Sequence, residues 1–120
     1  MAFSKDFAAY VQELFGGLGL VRVKGMFGGA GVYADELMFA FIADDSLYLR
    51  VDAEIEDRFR AEGSQPYIFH MRDGREIAIS YWSAPEAALE APEDAEIWAR
   101  LSLGAAMRKQ ASKGKKRKRT

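Results

Sequence analysis

The chain has no cysteine and no asparagine, and its only threonine is Thr120. Without cysteine there are no disulfides, no thiol nucleophile and no cysteine-based zinc site. A single histidine, His70, excludes multi-histidine metal centres. No apolar run approaches the ~18 residues of a membrane span, and no membrane partner is expected. The first residues, Met1 to Asp6, lack the basic-then-apolar order of a signal peptide. A cytoplasmic location is therefore expected. What remains is an ordinary globular composition, 49% apolar and 29% charged over 120 residues, enough for one domain with one core.

The formal net charge of −1 conceals a split. From Arg108 onward there are eight basic residues and no acidic one, so residues 1–107 carry nine basic side chains against all eighteen acidic ones, a balance of −9. The expected organisation is an acidic domain over 1–107 and a disordered basic tail over 108–120, because nothing apolar follows Ala111.

Within the body, the spacing of Phe3, Phe7, Val11, Leu14 and Leu18 predicts an amphipathic helix, with Ser4 as its cap and Gly16-Gly17 as its stop. Four of the eleven glycines fall between Lys24 and Tyr33. Alternating apolar residues flank them, so the stretch reads as a strand that enters, kinks at Gly28-Gly29 and leaves as a second strand. Leu37 to Ile42 is apolar at every position, as in a central strand covered on both sides. Turns at Asp35-Glu36 and Asp44-Asp45 make the neighbouring strands antiparallel. Asp52 is placed to cap a second helix containing Ile55 and Phe59, with Gly63 as its stop. Strands from Tyr67 and from Glu76 flank the Asp73-Gly74 hairpin signal. A final helix opens at Pro92, with Ile97, Trp98, Leu101 and Ala105 as its expected buried side.

Chemistry is harder to find. The spacing of Gly25, Gly28, Gly29 and Gly31 matches neither the dinucleotide fingerprint nor a P-loop, and strands follow where both need a helix. A Ser80–His70–Asp73 triad can be written down, but no nucleophile-elbow signature accompanies it. No catalytic, cofactor-binding or metal-binding set is expected. Arg22, Lys24, Tyr48 and Arg50 lie at positions that alternate with buried ones. If their parities match, they share one sheet face, which could stack single-stranded bases, form a dimer surface or simply be solvated. The tail is the sharper signal. Lys113, Lys115, Lys116, Arg117, Lys118 and Arg119 would bind DNA or RNA weakly, through counterion release, without sequence preference.

Several motifs, taken in order, resemble one family. They are Lys24-x-Met26-Phe27-Gly28-Gly29-x-Gly31-x-Tyr33, the Met38–Ile42 strand, Asp45-x-Leu47-Tyr48-Leu49-Arg50-Val51-Asp52, Ser80-Tyr81-Trp82, and the helix around Trp98 and Ala99. Together they are similar to the N-terminal domain of TfoX/Sxy competence regulators over roughly residues 5–106. Two positions depart from that pattern: Arg50 stands where a lysine is usual, and Asp35-Glu36 replaces a turn ending in glycine. The resemblance implies an α+β fold, α-β(3)-α-β(2)-α, with an antiparallel sheet and packed helices, similar to type III secretion chaperones. It implies a non-enzymatic regulatory or adaptor role in transcription or competence, exerted through a protein partner such as a transcription factor. The alternative it leaves open is a chaperone-like homodimeric module that binds proteins and has no nucleic-acid role.

Overall fold

In the computed structural model, residues 5–26 and 29–118 are described, with side chains described as far as residue 112. Six antiparallel strands form one sheet in the order β1-β2-β3-β4-β6-β5. The strands are β1 (Val21–Met26), β2 (Gly29–Ala34), β3 (Leu37–Ala43), β4 (Ser46–Arg50), β5 (Pro66–His70) and β6 (Glu76–Ser83). Helices α1 (Lys5–Leu14), α2 (Glu56–Ala61) and α3 (Pro92–Lys118) complete the fold. The α+β class and the antiparallel sheet are as expected. The first sheet segment, however, has four strands rather than three. The run from Val21 to Ala34 enters and leaves as two strands, as its residues suggest, with Met26 paired to Gly29 and Val21 to Ala34 in a hairpin.

Why the hairpins close is clear from the turns. Asp35, Glu36, Asp44 and Asp45 all have positive φ, between 50° and 69°. Two consecutive left-handed residues give the turn whose twist matches the flanking strands. Aspartate tolerates this conformation better than most residues, and glutamate less well. Gly29 has a different task. A Cβ there would collide with the Ile42 carbonyl oxygen of β3, so only glycine allows this close approach.

One face of the sheet is covered. Ala30, Val32, Ala40, Ile42, Leu47, Leu49 and Trp82 point toward the helices, joined by Val11, Leu14 and Phe15 from the α1 region. Between Val32 and Tyr33 the β2–β3 register slips, which makes Phe39 an extra residue in β3. Phe39 and Ala40 therefore both turn inward, and Phe39 meets Phe15 edge-on with centroids 5.4 Å apart. From α3 the buried residues are Ala95, Ala99, Ser102, Ala105 and Ala106, whose small side chains let the helix sit close to the sheet. Ile97, expected inside, is 58% exposed, while Trp98 and Leu101 are partly buried.

One further expectation is corrected. Asp52 does not cap α2, which starts at Glu56 with Ile55 at its cap position. Its carboxylate instead accepts the Glu54 backbone N–H and a forked pair of bonds from Arg108. Helix α3 runs through position 107/108 as far as Lys118. Lysine, arginine, alanine and glutamine are good helix formers, and cations suit the negative end of a helix. Ser4, the proposed cap of α1, lies outside the described residues. The stop at Gly63 holds: its φ is 81°, and the Ser64 N–H returns to the Phe59 carbonyl.

Candidate functional site

Phe41, Tyr48, Tyr67 and Tyr81, on the second face of the sheet, lie outside the core cluster that the helices join. Strand register carries Lys24 across to Gly31, Gly31 to Phe41 and Phe41 to Tyr48, while Arg22 pairs with Tyr33 and Arg50 with Tyr81. Arg22, Lys24, Tyr48 and Arg50 therefore share this face, as matching parity requires. They do not form one cluster, because β2 and β3 separate the first two from the last two.

Each cation has a local partner. The Lys24 ammonium lies 5.7 Å from the centre of the Tyr33 ring, and Arg22 is 4.0 Å from Glu36 at the surface. Arg50 donates to the Tyr81 hydroxyl at 2.8 Å with its guanidinium 5.2 Å from that ring. The Tyr81 hydroxyl in turn donates to the Met38 carbonyl at 3.3 Å. Burial raises the Tyr81 pKa, with Arg50 opposing through its charge and hydrogen bond. Burial likewise raises that of Tyr48, aided by Tyr67 and Asp44. Both phenols stay neutral at physiological pH.

A groove of about 570 Å³ on this face is lined by Met38 and Tyr81, among others, but by none of Arg22, Lys24, Tyr48 and Arg50. Its floor is built on Phe41, which stacks on Tyr48 at 5.2 Å and meets Tyr67 and Tyr81 edge-on at 5.1 and 5.3 Å. Met26 and Met38 close one side. Both sulfurs would lie 3.0 Å from a Cβ on Gly31, so the glycine leaves the space that they occupy. Phe69 and Ile79 form the other side, and Asp44 stands at the rim. Methionines and aromatic rings give an adaptable apolar surface, suited to contact more than to bond-breaking. The reading of Leu37 to Ile42 as covered on both sides is thereby corrected. Helices cover one side, and this groove occupies the other.

A smaller polar recess of about 360 Å³ is lined by Arg50, Asp52, Ser80, Arg108 and Lys109, among others. Arg108 binds Asp52 at 2.7 and 3.0 Å and also lies 3.0 Å from Glu54. The Arg108 hydrogen bonds hold the Asp52 carboxyl below the ordinary aspartate range, and the same bonds raise the pKa of Arg108. Arg108 is thus a structural clamp between α3 and the β4–α2 connection.

The Ser80–His70–Asp73 set does not assemble. His70 faces Glu76 at 3.2 Å, Asp73 is held by Arg75 at 2.7 Å, and the Ser80 carbonyl accepts the Val51 N–H. Among the described residues no group of three or more histidine, aspartate or glutamate side chains could hold a metal ion. No described helix is long and apolar enough to cross a membrane. The side chains of Lys113, Lys115, Lys116, Arg117 and Lys118, and all of Arg119, lie outside the described residues.

Missed from sequence were the groove residues Phe41, Tyr67, Phe69 and Met38. Their signal was the apolar second side of β3 and β5, which looked like ordinary core.

Comparison with known proteins agrees with the motif resemblance. The chain is 29% identical over 69 residues to the DNA transformation protein TfoX1 of Aliivibrio fischeri (strain ATCC 700601 / ES114), covering 58% of this chain and 32% of that protein. It is 22% identical over 102 residues to the protein Sxy of Escherichia coli (strain K12), covering 85% of this chain and 48% of Sxy. The matched regions thus span at most about half the length of these relatives. The family model of the TfoX N-terminal domain matches residues 13–106, which contain all six strands and the sheet-packed part of α3, and the chain belongs to that family.

Proposed function

We propose that this chain is a non-enzymatic regulatory domain of competence or transcription control, acting in the cytoplasm through a protein partner. Its basic segment, Lys113 to Arg119, adds weak non-specific affinity for DNA or RNA. The observation that carries the reading is the family match over residues 13–106. The wide apolar groove, whose nearby polar atoms are engaged with one another, fits contact better than catalysis.

The test has two arms. Deleting the gene should lower transcription of DNA-uptake genes in a reporter strain, and an unchanged reporter would sink the regulatory reading. For the nucleic-acid arm, the chain should be cut after residue 112, which keeps the Arg108 clamp. Retention of a DNA probe in a gel shift should then fall and lose its salt dependence. Equal retention by the cut protein would remove the basic segment from the account.

A second reading is the chaperone-like homodimeric protein-binding module, favoured by the same groove. Under it, the groove does all the work and the basic segment contributes nothing.

A further inference from the structure

The β5–β6 hairpin is more than the edge of the sheet. β4 pairs with β6 only through Tyr48–Ser83, Leu49–Trp82 and Arg50–Tyr81. Beyond that point, residues 76–78 of β6 and 68–70 of β5 pair only with each other. The register slips between Pro66 and Ile68, so β6 carries extra residues where the hairpin leaves the body. The resulting arm is apolar and exposed: Ile68 is 38%, Phe69 47% and Ile77 42% accessible. A two-stranded ribbon with bare apolar residues is marginal by itself, and covering it is favourable.

Phe69 sits opposite Ile77 in register and also lines the groove. Arm and groove are therefore continuous on one face. One end of the groove is Phe69 and Ile79, and the other is Met26, Gly29, Ala43 and Asp44. A surface that carries both a projection and a recess meets the condition for a two-fold interface, in which each feature of one copy receives the other feature of its mate.

We propose that the groove receives the β5–β6 arm of a second copy of this chain, forming a two-fold homodimer. Phe69 and Ile77 of each copy enter the Met26–Asp44 end of the other. Charge supports the pairing. Arg72 in the arm's loop is exposed and has no ion-pair partner among the described residues, and neither has Asp44 at the rim. The two-fold operation brings each Arg72 to the Asp44 of its mate, so the contact occurs twice. A groove of about 570 Å³ is also within the range of small-molecule sites. A small ligand, though, would leave the arm bare, whereas a second copy covers arm and groove together. The proposal rests on the homodimeric reading above, to which it gives an interface, and it is independent of the regulatory one; a dimer indifferent to Phe69→Asp would sink this interface and leave that reading standing.

Sedimentation velocity on the full chain, up to roughly 100 µM, should show a dimer, the range in which micromolar association is resolved. Phe69→Asp should raise the dissociation constant by at least about tenfold, as loss of a central aromatic anchor does. Asp44→Arg should weaken it by roughly three- to tenfold, and adding Arg72→Asp should recover most of that loss. Unchanged circular dichroism melting would separate these effects from unfolding. A monomer at every concentration, a dimer indifferent to Phe69→Asp, or a double variant no tighter than Asp44→Arg alone overturns the proposal. A monomer would also assign the groove to a different partner or a small apolar molecule. The reporter test of the regulatory reading is unaffected by any of these results, so the two can fail separately.

Discussion

The two faces of the sheet use the same alternating strands to opposite ends. On the covered face, alanines and medium-sized aliphatics alternate with a few rings, and an alanine-rich α3 lies close against them. On the other, Phe41, Tyr48, Tyr67 and Tyr81 pack on one another outside the helix-packed core cluster. Small side chains permit close approach and full burial, while a layer of rings makes its own surface and stays partly open. The first arrangement stabilises the fold, and the second supplies a place to bind.

The sharpest way to break this comparison is to truncate one ring on each face. Phe39→Ala, at a fully buried site against Phe15, should cost about 3–5 kcal/mol in urea denaturation. Phe41→Ala removes the centre of the exposed cluster and should cost less, about 1–3 kcal/mol, because part of that ring already faces solvent. Equal costs would mean that the open face is a second core.

A smaller effect tests the clamp between α3 and the β4–α2 connection. Arg108→Ala should destabilise by about 1 kcal/mol, discounted because both partners are about a third exposed. The Asp52 carboxyl is held low in the folded chain, so its contribution is complete above the ordinary aspartate pKa. It is lost as pH falls through the lower folded value. Stability measured against pH should therefore fall in acid for the parent, and the difference between parent and variant should shrink there. A constant difference down to the lowest pH would rule out this linkage.

The smallest expected change is stabilising. Glu36 has φ 69° in the turn between β2 and β3, where a side chain is strained. Glu36→Gly should stabilise by about 0.5–1 kcal/mol, offset slightly by the weak Arg22 contact. A lower melting temperature would show that the turn is held by more than local backbone preference.

Much of the fold was legible because its signals are local. Gly63 and Pro92 marked helix ends, and the acidic pairs marked hairpin turns. Asp52 was misread because its position before Ile55 suits a cap, while its actual partner, Arg108, is 56 residues away. Ile97 was misplaced because sequence weighs size, whereas α3 buries its alanines to approach the sheet. The groove was only half legible. Parity put Arg22, Lys24, Tyr48 and Arg50 on one face, but not the β-bulge that turns Phe39 away from Phe41, nor the rings that occupy the cations.

Sequence alone determined the class of fold, the acidic body with its basic end, and the family, because periodicity, charge and motif order are properties of the chain itself. Tertiary structure decided which apolar residues are core and which form the open groove. Burial depends on which strands become neighbours and on which side the helices settle. It also decided that Arg108 belongs to the body, since only folding brings it to Asp52. The glycines between Lys24 and Tyr33 show both levels at work. Their number was plain in the sequence, but the reasons for Gly29 and Gly31 lie in β3 and in the two methionines that surround them.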